Sequence, residues 1–258
     1  MASYLITGAS RGIGLTLVTM LAAKPASEVA KVYAAARSES EALKKVIASA
    51  ASRVVFVPLE VTSQDSIKAA AAKVDELQAG KGLDVLINNA GIMEAPVQVD
   101  QCDDLPDVLN VNVVGVHNVT RAFLPQLKKG TQKKIINIET LMLRSSSGLG
   151  SMAWAHFSAL YLFPAYKVSK AALNMLTVQY AHLLEKDGFT VVAITPGWLR
   201  TDLGSSQADL SVEEGAQAAL NILMNATPKI SGKFFNIHIP GWENKTGFSK
   251  YDGSEIPW

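Results

Sequence analysis

The chain has 258 residues, 48% of them apolar, and a formal net charge of +1 at pH 7. This length and apolar content are sufficient for one large buried core, and we expect a single domain over residues 1–258. The net charge is near zero and the sequence has no basic stretch that would bind nucleic acid, so the composition favours a small-molecule partner.

Nothing in the sequence indicates a membrane, a metal or a disulfide. The first residues lack the basic start and apolar core of a secretion signal, and no run of 18 apolar residues follows. We therefore expect a soluble, cytoplasmic protein that binds no membrane. The single cysteine, Cys102, cannot form a disulfide within the chain, and without a second thiol nearby no zinc site is expected.

Apolar, β-branched runs alternate along the chain with longer alanine-rich stretches. The runs predict seven strands, at residues 4–7, 32–35, 54–57, 85–88, 135–138, 190–194 and 234–237. The stretches predict helices at residues 13–23, 66–77, 105–127, 166–185 and 211–224. Because the strands are apolar on successive residues, both faces of the sheet should be covered by helices. The predicted fold is α/β, with a doubly wound parallel sheet of seven strands.

Two stretches interrupt this alternation. Residues 139–164 form a long connection between a strand and a helix, and residues 240–258 form an irregular tail. In a doubly wound sheet, ligands bind beyond the carboxyl ends of the strands. The first stretch is therefore predicted to lie at a ligand site, whereas the pattern leaves the position of the tail open.

A glycine-rich turn follows the first predicted strand and opens the first helix. It reads Thr7-Gly8-Ala9-Ser10-Arg11-Gly12-Ile13-Gly14. Such glycines permit a tight turn and a close approach of the backbone to a pyrophosphate, while the helix N-terminus supplies N–H donors. Any strand-to-helix connection can use glycine, but the first position in an α/β chain favours a dinucleotide site. Gly8, Ser10, Arg11, Ile13 and Gly14 are the expected contacts.

The end of the second strand indicates which dinucleotide is bound. An acidic side chain at this place would bind the ribose 2′-hydroxyl of NAD, but residues 34–38 contain no carboxylate. Arg37 and Arg11 could instead form charge-assisted hydrogen bonds with a 2′-phosphate. The residues favour NADP(H) over NAD(H), although each arginine alone could be a solvated surface charge.

Tyr166 and Lys170 lie four residues apart in a helical pattern and should project from one face of that helix. A tyrosine has a reference pKa of about 10, and a neighbouring ammonium lowers it by favouring the phenolate. We therefore expect Tyr166 to act as an acid or base near neutral pH. Alone, this spacing also describes an ordinary surface pair.

Five motifs together make the chain similar to the short-chain dehydrogenase/reductase family, from residue 3 to about residue 240. They are Thr7-Gly8-x-x-x-Gly12-x-Gly14, Asn88-Asn89-Ala90-Gly91, Asn112, Tyr166-x-x-x-Lys170 and Pro196-Gly197, in the family's order and approximate spacing. Residues 165–175 and the ending Ile239-Pro-Gly-Trp-Glu-Asn244 further resemble the branch of C-factor and sniffer-type carbonyl reductases and their fungal relatives. The resemblance implies a Rossmann fold.

The resemblance also implies roles for the catalytic residues. Tyr166 would exchange a proton with the substrate oxygen, and Lys170 would bind the nicotinamide ribose and lower the tyrosine pKa. Asn112 would hold a water that links Lys170 to solvent. The reaction implied is NADP(H)-dependent reduction of a ketone or aldehyde, or oxidation of a secondary alcohol.

A further set of residues would contact the cofactor if the resemblance holds. Glu60 and Val61 stand where the family commonly has Asp-Val at the adenine, and Asn89 and Gly91 would line the adenosine and ribose. The nicotinamide would be contacted by Pro196, Gly197 and Thr201.

The family's catalytic serine has two candidates. Counting from the strand at 135–138 selects Thr140, whereas alignment on the segment Ser146-Ser-Gly-Leu-Gly-Ser151 selects Ser147. We prefer Ser147, which leaves an insertion at 139–144. Its apolar residues Leu141, Met142 and Leu143 could wall a pocket, join a subunit interface or lie in a solvent loop.

The substrate is expected to be a hydrophobic, aromatic or polycyclic small molecule, because large apolar residues precede the catalytic helix. They are Trp154, Phe157, Leu160, Tyr161, Leu162 and Phe163, which could equally be ordinary core; His156 among them is expected to be a satisfied polar residue. Two rival functions remain: a redox-neutral enzyme (cyclase, dehydratase or isomerase) and a non-catalytic NADP(H)-binding regulator. The apolar faces of the long helices would permit a homodimer or homotetramer, and they equally suit packing within the chain.

Overall fold

Residues 1–140, 162–245 and 249–258 of a computed structural model are described, and their strands form one eight-stranded sheet. The strands are β1 Ala2–Thr7, β2 Val29–Ala36, β3 Val54–Pro58, β4 Val85–Asn88, β5 Lys134–Ile138, β6 Thr190–Thr195, β7 Phe234–Asn236 and β8 Glu255–Ile256. Their order is β3-β2-β1-β4-β5-β6-β7-β8. The first seven are parallel, as predicted. The tail adds β8, antiparallel to β7, which the sequence pattern did not predict.

The described α-helices lie between the strands. They are α1 Gly12–Ala23, α2 Glu41–Ser49, α3 Gln64–Gln78, α4 Leu105–Leu109, α5 Val116–Lys129, α6 Pro164–Leu184 and α7 Val212–Asn225. The single helix predicted at 105–127 is interrupted by a π-helical turn, Asn110–Gly115, and α2 was not predicted at all. Among the described residues, no helix is long and apolar enough to span a bilayer.

The sheet separates two apolar layers because successive strand residues point to opposite faces. Tyr4, Ile6 and Ile136 pack in the layer that includes α1 and α7. Leu5 and Ile135 pack in the layer that includes α3, α5 and α6. Each such side chain contributes roughly 1.5–3 kcal/mol on full burial. The sheet is interior, so a ligand site has to lie at an end of the strands.

A buried chain of amides and hydroxyls fixes α6 against the sheet. The Asn88 amide donates to Thr120 Oγ1 at 3.1 Å and to Asn137 Oδ1 at 2.9 Å. The Asn137 amide in turn donates to Thr177 Oγ1 on α6 at 2.8 Å. Buried polar groups need partners, and these bonds therefore set the position of α6 along β5. The first turns of α6 are thereby held at the carboxyl ends of β4 and β5.

Candidate active site

The glycine-rich turn has the backbone geometry that a dinucleotide site requires. Gly8 and Gly12 have φ values of +68° and +54°, which favour glycine. A Cβ on Gly14 would lie 2.3 Å from the Gly8 carbonyl oxygen, so the first turn of α1 packs directly on the turn before it. The first N–H groups of a helix have no intrahelical acceptor. The turn therefore presents free N–H donors where a pyrophosphate would fit.

Asn89 and Thr7 hold this turn against the end of β4. The Asn89 amide donates to the carbonyl oxygens of Thr7 at 2.9 Å and Gly8 at 3.3 Å. Thr7 Oγ1 accepts the N–H groups of Asn89 and Ala90, each at 3.0 Å. Asn89 and Thr7 thus brace the turn, whereas Gly91 is exposed; the contacts of Asn89 and Gly91 with the adenosine and ribose stay predictions.

Both arginines predicted to bind the 2′-phosphate are exposed, and both lie at the carboxyl ends of the strands, Arg11 after β1 and Arg37 after β2. Arg37 Nε is 3.6 Å from Glu60 Oε2, and Arg11 pairs with Asp202 at 3.0 Å. Glu60 also accepts hydrogen bonds from the N–H and hydroxyl of Thr62. An exposed ion pair is weak, so a phosphate dianion could compete for Arg37.

Two further sets of contacts lie at the carboxyl ends of these strands, one at the glycine-rich turn and one after β3. The Ser10 carbonyl accepts the Ser40 hydroxyl at 2.6 Å, and Ile13 packs against the core below the turn. Val61 is buried and lies where a Cβ on Gly115 would approach it at 3.1 Å. The segments that follow β2 and β3 thus contact the glycine-rich turn and the π-helical turn, respectively, at the carboxyl ends of the strands.

The segment after β6 also lies at the carboxyl ends of the strands, close to the glycine-rich turn. Gly197 has a φ of +84°, and a Cβ there would meet Ile237, Leu210 and Tyr251 at about 3 Å. Thr201 Oγ1 accepts the Gly204 N–H at 3.0 Å, and its methyl group would lie 3.6 Å from a Cβ on Gly12. Thr201 therefore faces the glycine-rich turn, while Gly197 packs against Leu210, Ile237 and Tyr251.

Tyr166 and Lys170 are both buried, with 7% and 6% of their surface exposed, so they are not a surface pair. Lys170 Nζ lies 5.7 Å from the centre of the Tyr166 ring and donates to the Ile138 carbonyl oxygen at 2.6 Å. A side-chain hydrogen bond joins Tyr166 to Thr140. The phenol, the ammonium and a hydroxyl group therefore meet beyond β5.

The pKa of Tyr166 is raised above its ordinary value, opposite to the direction expected from Lys170. Burial is the main cause, and the carboxylates of Glu139 and Glu94 act in the same direction, while the bond with Thr140 opposes them. Burial likewise lowers the pKa of Lys170, partly offset by Glu139. The Tyr166 phenol is therefore protonated at neutral pH and can act as a proton donor.

Glu94 caps the N-terminus of α6, a role that the sequence analysis did not predict. Its Oε1 accepts the Ala165 N–H at 2.8 Å, and its Oε2 accepts the Tyr166 N–H at 3.0 Å. A carboxylate is favourable at a helix N-terminus because it meets unpaired N–H groups and the positive end of the dipole. The contact spans 71 residues of sequence, so no local pattern signals it.

Asn112 lies in the π-helical turn and is almost completely buried. Its Oδ1 accepts the Ile92 N–H, and its amide donates to the Ile92 carbonyl and to Ser169 Oγ, all within 2.8–2.9 Å. Ser169 Oγ donates to the Tyr166 carbonyl at 2.7 Å. Asn112 thus connects the segment after β4 with the helical turn that carries Tyr166; its predicted water remains a prediction.

A cleft of about 280 Å³ lies beside Glu94. It is lined by Ile92, Met93, Glu94, Ala95, Asp104, Asp107 and Val108. A ligand in this cleft would meet both apolar surface and carboxylate oxygens.

Several sequence predictions fall outside the described residues. Ser147, the apolar residues 141–143 and the aromatic stretch up to Tyr161 are among them; Leu162 and Phe163 are half-buried. The preference for Ser147 thus stays a prediction, while Thr140, the other candidate, contacts Tyr166.

Comparison with known proteins adds four findings. The family model of the short chain dehydrogenases matches residues 3–210. A short-chain dehydrogenase/reductase of an Arthrinium species is 30% identical over 92% of this chain and 98% of its own. The NADPH-bound carbonyl reductase from chicken fatty liver superposes with a TM-score of 0.81 at 35% identity, covering 100% of this chain and 94% of its own. The carbonyl reductase Sniffer of Drosophila melanogaster has the same TM-score at 27% identity, with both chains fully covered.

Proposed function

The chain belongs to the short-chain dehydrogenase/reductase family, and we propose that it is an NADP(H)-dependent carbonyl reductase. The predicted resemblance to sniffer-type carbonyl reductases and fungal relatives is confirmed. The observation that carries the proposal is the arrangement around Tyr166: a buried phenol that is bonded to Thr140 and lies next to Lys170. A proton donor with a second hydroxyl at the carboxyl edge of a dinucleotide-type sheet is suited to reduction of a C=O group.

The glycine-rich turn and the first N–H groups of α1 would hold the pyrophosphate of the cofactor. Arg37 and Arg11 would bind a 2′-phosphate, and the absence of a carboxylate from residues 34–38 supports NADP(H) over NAD(H). The 196–201 segment would lie against the nicotinamide. When bound, the nicotinamide supplies or accepts the hydride.

Tyr166 donates its proton to the carbonyl oxygen of the substrate as that oxygen gains charge. Because burial keeps Tyr166 protonated at neutral pH, it is ready to act in the reducing direction. We propose that the Thr140 hydroxyl donates a second hydrogen bond to the same oxygen, the role that the family assigns to a serine. Lys170 stabilises the phenolate that remains, since its charge is nearby and both groups are shielded from water.

The proposed substrate is a ketone or aldehyde on a hydrophobic small molecule. The apolar stretch at 154–163 in the sequence and the apolar residues that line the cleft beside Glu94 support this. Asp104 and Asp107, which also line the cleft, would favour a hydroxyl or amino group on that molecule.

The test is NADPH consumption by the purified protein over a panel of aromatic ketones, quinones and aldehydes, with NADH in parallel. Tyr166→Phe should lower kcat by about 10² or more, because it removes the proton donor. Tyr180→Phe is the matched control: it removes another phenol hydroxyl from α6, one that contacts His117 instead. Its turnover should stay within a few-fold of wild type.

Thr140 and Ser147 are separated by the same assay. Thr140→Val should lower kcat by on the order of 10², as deletion of one oxyanion donor does, and Thr140→Ser should restore it. A loss with Ser147→Ala and none with Thr140→Val would reverse the assignment. Tight NADPH binding without turnover of any compound would refute the reductase and favour the redox-neutral or regulatory function.

A further inference from the structure

Glu139 is a carboxylate placed at the active site by the sheet itself. It directly follows β5, and its N–H donates to the Ile194 carbonyl at 2.8 Å, which continues the pairing of β5 with β6. Strand alternation puts its side chain on the same face as Asn137, which bonds to α6. The backbone is therefore fixed and directs the carboxylate towards α6.

The Glu139 side chain is buried with only partial compensation. Only 3% of the residue is exposed, and neither carboxylate oxygen makes a hydrogen bond of ordinary geometry in the structure described. An ionised carboxylate in this state is costly, and such a group normally binds a proton instead. Burial raises the pKa of Glu139 to about 8, despite the opposing effects of Lys170 and of the Thr140 N–H.

The charged and titratable groups near Glu139 lie mainly on α6. Lys170 attracts its negative charge, and that charge disfavours the phenolate of Tyr166. From the segment after β4, Glu94 faces Tyr166 and Lys167. From β6, the contact is the backbone carbonyl of Ile194, which is uncharged. Within the described residues, Lys170 is thus the group whose positive charge the Glu139 carboxylate can offset.

We propose that Glu139 is the proton-exchanging partner of Lys170, so that the acid–base system of this site has three members: Tyr166, Lys170 and Glu139. The inference rests on the proposed carbonyl reduction. Lys170 now donates to the Ile138 carbonyl and makes no ion pair with Glu139 within the described residues. The exchange therefore passes through one bridging water or a rotation of the Lys170 chain.

The protons balance as follows in the reducing direction. The Tyr166 O–H bond breaks as the product O–H bond forms. A Lys170 N–H bond breaks as the Tyr166 O–H bond is restored, and the Glu139 O–H bond breaks as the Lys170 ammonium is restored. The Glu139 carboxylate then takes a proton from solvent. Lys170 thus regains its charge before the next cycle without drawing directly on bulk water.

Infrared difference spectroscopy against pH tests the proposal without turnover. The C=O band of a protonated carboxyl group should disappear with a midpoint near pH 8 in the wild-type protein. Glu139→Gln, which is nearly isosteric, should lack that transition. Glu76→Gln removes an exposed carboxylate on α3 and should retain it. If the wild-type protein shows no such titration above pH 6, or if Glu139→Gln retains it, the proposal is wrong.

Coupling to Lys170 is measured by the same band. Lys170→Met removes the positive charge that favours the Glu139 carboxylate, so the midpoint should rise by about one pH unit. Lys167→Met, one helical turn earlier, should leave it unchanged. An unchanged midpoint in Lys170→Met would overturn the pairing even if Glu139→Gln did not fold.

Turnover separates this proposal from the proposed function. With an active panel compound, Glu139→Gln should lower kcat by on the order of 10-fold with KM unchanged and remove a limb near pH 8 from the kcat profile. Glu139→Asp should recover part of the rate. If no compound turns over, the carbonyl reduction fails, and the infrared midpoints still decide whether Glu139 holds a proton at neutral pH and is coupled to Lys170, which the exchange requires.

Discussion

Gly14→Ala tests whether the glycine-rich turn is shaped by a single close contact. The added Cβ would lie 2.3 Å from the Gly8 carbonyl oxygen and 2.6 Å from Asn89 Nδ2, whereas ordinary contacts begin at 3.4 Å. The first turn of α1 therefore has to move by about 1 Å. That movement also disturbs the bonds from the Asn89 amide to the Thr7 and Gly8 carbonyl oxygens.

The expected cost follows from these contacts. Overpacking costs about 1–3 kcal/mol and each weakened hydrogen bond about 1 kcal/mol, so the free energy of unfolding should fall by roughly 2–4 kcal/mol. For a chain of this size, that lowers Tm by about 5–15 °C. The N–H groups of α1 would also leave their positions for a pyrophosphate, and the Kd for NADPH should rise by about 10- to 100-fold.

Thermal unfolding by circular dichroism and titration of NADPH fluorescence measure the two effects separately. Gly80→Ala is the control, because its φ is +84° and nothing lies within 4 Å of its Cβ. Backbone strain should lower its stability by about 1–2 kcal/mol without changing the Kd for NADPH. If Gly14→Ala binds NADPH within twofold of wild type, the turn does not hold the cofactor as argued.

Three further substitutions give independent tests. Arg37→Ala should raise the Kd for NADPH about 10-fold and leave that for NADH unchanged in a parallel titration; equal weakening of both would show that Arg37 does not read the 2′-phosphate. Tyr251→Phe removes the hydroxyl that donates to Asp209 Oδ2 at 2.8 Å and should cost about 1 kcal/mol in urea unfolding. Burial alone would raise the pKa of Asp84, but hydrogen bonds from Ser3 and Thr131 outweigh it and hold that pKa below its ordinary value of 3.8. Asp84 therefore stabilises the fold above about pH 4 and loses this effect as pH falls through its depressed pKa. Asp84→Asn should cost about 2–4 kcal/mol at pH 7, and the difference from wild type should shrink steadily as the pH is lowered below 4. A constant difference across that range would contradict this account.

Local sequence patterns determined the framework of this protein. The seven parallel strands and most helices follow from runs and periodicities that each segment carries by itself. The glycine-rich turn is equally local, since φ values such as +68° at Gly8 favour glycine. Tyr166 and Lys170 share a helix face because four residues complete about one turn. Such features depend on neighbours in sequence, and the sequence alone was therefore sufficient to place them.

Only the tertiary structure decided how the site is built. Glu94 closes α6 from 71 residues away, and Thr140 reaches Tyr166 across a strand-to-helix connection. The pKa of Tyr166 is raised, not lowered, because burial and two carboxylates outweigh the hydrogen bond with Thr140. Desolvation and charge depend on what packs around a group, and residues distant in sequence supply that packing. The sequence thus determined which chemical groups are present, and the packing decided their protonation and contacts.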